Sequence, residues 1–217
     1  MAVLKAVSGQ LFLYKKIDKT KYFVINVEKN YIHERKSVIL YSYIQKKVLP
    51  LFSRRRIMSY QSHEYYLRRA IEVSKEARAA GNTPFGALLV DKEGNILMEQ
   101  PNIEITEKIC TGHAEATLAA RASHEYSREF LWDCTLYTTA EPCAMCAGAI
   151  YWANIGRVVY GMTERRLLEL TGSNEQNPTF DLPCREVFAR GQKDIQVVGP
   201  VKEVEVEAAK VHEGFWD

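Results

Sequence analysis

Two short segments limit how this chain can fold more than any other feature: Thr111-Gly-His-Ala-Glu115 and Glu141-Pro-Cys-Ala-Met-Cys146. A spacer of 26 residues separates Glu115 from Pro142. Between them the segments offer three metal-binding side chains, His113, Cys143 and Cys146, and one carboxylate, Glu115, that need not bind the metal. Three protein ligands leave the fourth tetrahedral position of a zinc ion open, which marks a catalytic site rather than a structural one. A C-x-x-C pair alone would also fit a redox dithiol or half of a zinc knuckle. No second C-x-x-C or H-x-x-H is present to complete a knuckle, and a redox pair leaves His113 and Glu115 without a role.

The spacing has a mechanical reason. Cysteines three apart in the first turn of a helix point the same way, so both reach one ion. A helix N-terminus carries partial positive charge that favours thiolates, and Pro142 suits the approach to such a start. His113 sits at a second expected helix start. Glu115, two residues on, can reach a metal-activated water as a general acid or base.

Hydrophobic periodicity places these segments in a layered fold. A helix is expected over 63–80, stopped by Gly81 and Asn82. Apolar runs at 86–90 and 95–98 around the turn 91–94 read as a β-hairpin. Helices follow from His113 through Ala120, over 143–152, over 163–170 and from Lys202 to His212. Strands are expected over 134–138, 157–160 and 195–198, with a Gly/Asn/Pro/Ser-rich loop over 172–183. Strands alternating with helices predict an α/β layered sheet with helices on both faces.

Charge divides the chain. Residues 1–57 carry 13 Lys/Arg against 3 Asp/Glu, and residues 58–217 carry 16 against 24. The domain assignment is therefore a basic N-terminal extension over 1–57 and a zinc-dependent domain over 58–217. Stretches 22–27 and 37–44 of the extension alternate like strands, without obviously closing a second core. A nucleic-acid-binding arm is one reading of the extension. The other is a natural start at Met58, with the leader read from AT-rich upstream sequence. No apolar run approaches the roughly 20 residues that span a bilayer. Five cysteines at irregular spacing do not suggest a disulfide scaffold. Thiolate-bound zinc with spare free thiols at Cys110, Cys134 and Cys184 fits a reducing, cytoplasmic setting. His63, His124 and His212 are expected on solvated surface, and Phe85 and Trp152 in the core.

The metal motif is that of zinc nucleobase deaminases, with Glu115 as the non-ligand acid/base. Over roughly 62–217 the chain resembles the cytidine/deoxycytidylate deaminase-like superfamily. The resemblance rests on Pro84-Phe-Gly-Ala87, Asn102, His113-Ala-Glu115, Thr135-Leu-Tyr137, Glu141-Pro-Cys-Ala-Met-Cys-Ala-Gly-Ala149 and Arg157-Val-Val-Tyr-Gly161. It implies a three-layer α/β/α fold with a five-stranded mixed sheet, one Zn2+ per subunit held by His113, Cys143 and Cys146, and a homodimer. It also implies that Asn102 hydrogen-bonds the substrate and that the backbone at Ala114 reads the base edge. Glu115 is expected to take a proton from water, pass it to a ring nitrogen and help ammonia leave.

Three groups within the superfamily compete for the substrate. Cys-Ala-Gly-Ala and Ile155-Gly-Arg-Val-Val-Tyr-Gly161 resemble bacterial tRNA adenosine deaminases. An acidic domain with an acidic C-terminal stretch is poorly suited to phosphate, so nucleic acid is not the expected partner. Pro84-Phe-Gly-Ala87 and Ala149-Ile-Tyr-Trp-Ala153 resemble guanine deaminases, and Thr135-Leu-Tyr-Thr-Thr139 resembles fungal-type cytosine deaminases. Both use an aromatic C-terminal segment over the base, a part that Trp216 could fill here; a docked C-terminal anchor is the alternative. The expectation is deamination of a free nucleobase or nucleoside, guanine slightly ahead of cytosine, with tRNA adenosine as the alternative substrate. Glu164 is the candidate for a second proton carrier. A non-catalytic zinc-containing binding subunit is the reading from another class, and the intact Glu115 argues against it.

Overall fold

The structure, a computed structural model, describes residues 2–7, 10–16, 22–27, 60–172, 174–175 and 177–216. The chain divides into two compact units, Met1–Arg56 and Ile57–Asp217. In the first, β1 (Ala2–Val7), β2 (Gln10–Lys16) and β3 (Tyr22–Val27) form an antiparallel sheet in that order. Leu13 pairs with Leu4 on one side and Ile25 on the other. The strand expected over 22–27 is present; the one expected over 37–44 lies outside the described residues.

The second unit runs α1 (His63–Ala79), β4 (Gly86–Val90), β5 (Ile96–Pro101), α2 (Ala114–Glu125), α3 (Arg128–Trp132), β6 (Thr135–Ala140), α4 (Ala144–Ala153), β7 (Arg157–Met162), α5 (Glu164–Thr171), α6 (Cys184–Ala189), β8 (Gln196–Val198) and α7 (Lys202–Lys210). Its five strands lie in the order β5-β4-β6-β7-β8. β4 pairs antiparallel with β5 and β6, whereas β6, β7 and β8 are mutually parallel. This is the mixed sheet of a cytidine deaminase-like fold.

Side-chain alternation sends each strand's residues to two cores. Ala87, Leu89 and Leu136 pack with Leu118 of α2 and Ala147 and Ile150 of α4. Leu88, Val90 and Tyr137 pack with Leu67 and Ala70 of α1 and Val204 of α7. Burial on both faces is why 86–90 and 158–160 read as continuous apolar runs instead of alternating ones.

Some expectations need correction. α2 continues to Glu125, five residues past the expected end. α3 and α6 escaped the sequence reading because five and six residues are too few to show a helical period. His212 is buried at 2% exposure instead of solvated, its ring 5.1 Å from that of Phe85. Trp152 is 74% exposed and not core. The buried face of α4 is Cys146, Ala147, Ile150 and Ala153, and Trp152 falls on the opposite side. Phe85 is half-buried, against both cores. His63 is half-buried, its Nδ1 2.9 Å from the Tyr137 hydroxyl, and His124 is exposed. Cys110, Cys134 and Cys184 are free thiols, the first exposed and the others buried.

α1 approaches the sheet most closely at Gly86. A Cβ there would lie 2.5 Å from the Ala70 carbonyl oxygen and 2.6 Å from the Ser74 nitrogen. Both are helix backbone atoms and cannot move aside alone. Gly86→Ala should therefore lower the urea midpoint with an unchanged m-value, by about 1–3 kcal/mol of stability; an unchanged midpoint would contradict this packing.

Candidate metal centre and active site

The parallel strand β6 ends at Ala140, and the chain turns through Glu141-Pro142 into α4. Cys143 is the N-cap of α4, in extended backbone, and Cys146 lies one turn on. His113 is likewise the extended N-cap of α2. Two helix N-termini thus meet, and their unpaired N–H groups and dipoles favour negative charge where they meet.

The ligand atoms of His113, Cys143 and Cys146 all lie within 4.8 Å of one another. His113 Nδ1 is 3.8 Å from Cys143 Sγ and 3.6 Å from Cys146 Sγ. Ordinary zinc–sulfur and zinc–nitrogen bonds at tetrahedral angles separate such atoms by about 3.6 Å. The spacing and the soft sulfur–nitrogen donor set therefore fit one zinc ion. His113 Nε2, the other ring nitrogen, lies 3.8 Å from a Glu104 carboxylate oxygen. A carboxylate behind a ligating imidazole orients the ring and raises its basicity.

Glu104 is placed by a tight loop. Ile103 N–H donates to the Gly112 carbonyl, and Gly112 N–H to that of Ile109. A Cβ at Gly112 would come within 2.9 Å of the Glu104 backbone, so only glycine lets the loop close against the ligand.

Glu115 sits in the first turn of α2 and is buried. Thr138 Oγ1 donates to its Oε1 at 3.0 Å, from the central strand. Its Oε2 is 3.6 Å from Cys146 Sγ, beside the ligands without joining them. Burial pushes its pKa up, and the Cys143 charge adds to the effect. Cys143 is held down to about 4, chiefly by the Cys146 thiol donating to it and then by His113, against the cost of burial. His113 is raised to about 9 by its bond to Cys143, while Cys146 is pushed up by that same pairing and by burial.

These groups open onto a cavity of about 280 Å³. Its wall includes Phe85, Glu104, Cys110, Glu141, Glu164 and the loop from Asn177 to Phe180. Among the described residues, no Lys or Arg lines it. Glu141 ties the cavity together from behind: one carboxylate oxygen accepts from Cys184 N–H at 3.0 Å, the other from Glu164 N–H at 3.3 Å. It thereby holds the starts of α5 and α6 to the metal loop.

The other expected site residues fall as follows. Ala114 is the first residue of α2, fully buried beside the ligands. Asn102 is buried; its N–H donates to the Phe85 carbonyl and its Oδ1 accepts from Glu104 N–H. Its amide Nδ2 has no partner among the described residues. Trp216 does not line the cavity. It stands behind Phe85 with ring centroids 6.4 Å apart, its Nε1 donating to His212 Nδ1, as a docked anchor would. Asp217 lies outside the described residues. The aromatic that does reach the cavity is Phe180, 61% exposed. Glu164, the candidate second proton carrier, lies on the wall. Glu104, Thr138 and Phe180 were not foreseen, because no spacing in the sequence ties them to the ligands; Glu141 stood within the cysteine motif but was given no role.

A family profile for the cytidine and deoxycytidylate deaminase zinc-binding region matches residues 60–162. A probable cytosine deaminase of Schizosaccharomyces pombe is 40% identical over 152 residues, 70% of this chain and 91% of that protein. Guanine deaminase of Bacillus subtilis is 44% identical over 100 residues, 46% of this chain and 64% of its own length. A tRNA-specific adenosine deaminase of Haemophilus influenzae is 40% identical over 101 residues, 46% of this chain and 58% of its own. Among solved structures, a guanine deaminase from Nitrosomonas europaea superposes with a TM-score of 0.59 at 21% identity, over 72% of this chain and 86% of that one. That likeness is one of fold.

Zinc selects neutral His113 and two thiolates, whereas the cluster by itself favours a protonated His113 and a protonated Cys146. Binding should therefore release about two protons per ion at pH 7, and affinity should rise with pH. Calorimetry of chelator-stripped protein in buffers of different ionisation enthalpy measures this; heats independent of buffer would contradict it. Glu104→Gln should weaken zinc binding by about 10- to 100-fold in a chelator competition, and unchanged affinity would remove Glu104 from the centre.

Proposed function

From the premise that this chain belongs to the cytidine and deoxycytidylate deaminase family of zinc enzymes, we propose that it hydrolytically deaminates a free nucleobase, releasing ammonia. The observation that carries the substrate class is the cavity wall. Glu104, Glu115, Glu141 and Glu164 line it, and among the described residues no Lys or Arg does. Phosphate contacts supply most of the affinity for a nucleic acid. A wall of carboxyl groups favours a small neutral base over tRNA.

Asn102 supports the same reading. Its Oδ1 is committed to Glu104 N–H, which orients the amide and leaves Nδ2 as a buried donor needing an acceptor. Cytosine and guanine each carry a ring carbonyl that would satisfy it. Guanine stands slightly ahead on local sequence motifs. Cytosine is favoured by the relative matched over most of its length. The reading commits to these two bases, and to a homodimer on the strength of the family resemblance.

When bound by His113, Cys143 and Cys146, zinc supplies Lewis-acid activation of a water. The chain's own residues do the rest. Glu115, held by Thr138, takes the proton from the attacking water and delivers it to a ring nitrogen next to the amino-bearing carbon. The same carboxyl then protonates the departing amine. Burial raises its pKa, which favours this traffic near neutral pH. By the family resemblance the N-terminus of α2 at Ala114 and the amide of Asn102 hold the ring edge, both being buried beside the ligand loop, and Phe85 lines one side of the cavity.

Glu115→Gln should retain one zinc while turnover falls about 10²- to 10⁴-fold. An ammonia-release screen over guanine, cytosine, their nucleosides, adenine and a tRNA anticodon stem tests the substrate class. Release from the tRNA stem alone would overturn it.

A further inference from the structure

Glu164 is the first residue of α5, and its backbone N–H is taken by Glu141. Its side chain is 6% exposed and lies on the wall of the cavity that holds Glu115 and His113. Among the described residues its carboxyl has no hydrogen-bond or ion-pair partner, although Glu104, Glu115 and Glu141 all have one. A buried polar group is normally satisfied, so one that lacks a partner and faces a cavity is accounted for by a ligand.

The surroundings also determine its protonation. Burial, followed by the negative charges of Cys143, Glu115 and Glu141, raises its pKa to about 8, with His113 opposing. Near neutral pH the group is a carboxylic acid, which presents an O–H donor and a C=O acceptor side by side. Two adjacent groups of that kind match a ring edge with an N–H next to an acceptor.

The geometry points to Glu164 as a specificity-determining residue that pairs with the ring edge at the nitrogen which carries the sugar in a nucleoside. In cytosine that edge is N1–H beside the C2 carbonyl; in guanine the N9–H alone pairs with the carboxyl, because N3 is the nitrogen that takes the proton from Glu115. A sugar at that nitrogen removes the N–H and leaves the Glu164 carbonyl oxygen facing carbon. The pairing therefore selects the free base against its own nucleoside. This inference rests on the free-base reading and adds the residue that enforces it. A polar site that loses one partner of a buried pair discriminates strongly, because its own group is left unpaired.

The test is steady-state kinetics on wild type, Glu164→Gln and Glu164→Leu, each checked for zinc content and Tm, with Glu164→Met in place of leucine if zinc is lost. The glutamine amide keeps a donor and an acceptor side by side but cannot carry a proton. Glu164→Gln should stay within about threefold of wild type in kcat and KM for the base. Glu164→Leu should raise the base KM about 10- to 100-fold, as one or two lost hydrogen bonds would, with kcat within about threefold. The nucleoside's inhibition constant should change by less than about threefold in both variants. A kcat loss shared by glutamine and leucine would make Glu164 a proton carrier and overturn the inference, as would an unchanged KM in the leucine variant. A wild-type protein active on no free base fails the functional reading first, before any variant is compared.

Discussion

The convergence of two helix N-termini on three ligand atoms is the constraint on which the rest of the site depends. α2 delivers His113 and, two residues later, Glu115; α4 delivers Cys143 and Cys146. Neither helix could hold an ion alone. Their packing in the core through Leu118, Ala147 and Ile150 brings sulfur and nitrogen to tetrahedral spacing. Supporting contacts come from further away. Thr138 fixes Glu115 from the central strand, Glu104 backs His113 from a loop, and Glu141 ties α5 and α6 to the metal turn.

This arrangement concentrates carboxyl groups around one small cavity. Burial, with the negative charges of neighbouring groups, raises the pKa values of Glu115 and Glu164. The two acids differ in their partners. Glu115 is held by Thr138 beside the ligands and suits proton transfer, whereas Glu164 keeps its carboxyl free for a ligand. In the proposed reading one charged metal loop supports both chemistry and discrimination, and a wall without Lys or Arg among the described residues disfavours phosphate.

Much of this was legible in the sequence because it depends on local spacing. Cys143 and Cys146 are one helical turn apart, so their shared side follows from spacing, whereas their convergence with His113 and Glu115 was legible from the motif that the chain shares with the family. Long strands and helices were also legible, since burial on both sheet faces makes 86–90 and 158–160 uniformly apolar. What escaped is set by tertiary approach. Glu104 and Thr138 contribute through contacts with no sequence period, and Phe180 reaches the cavity from an irregular loop. The aromatic tail shows the same limit: Trp216 has the composition of a lid, yet its bond to His212 and its packing behind Phe85 anchor it. His212, with no neighbouring pattern to mark it as buried, was read as surface for that reason.

The central claim is a zinc ion with three protein ligands and one open position. Zinc-edge X-ray absorption of the purified protein tests it most directly. The account predicts two sulfur neighbours at about 2.3 Å and two lighter nitrogen or oxygen neighbours at about 2.0–2.1 Å. A third sulfur would recruit a further cysteine, such as exposed Cys110 on the cavity wall, and close the position that catalysis needs. That result, or a shell without sulfur, would contradict the account.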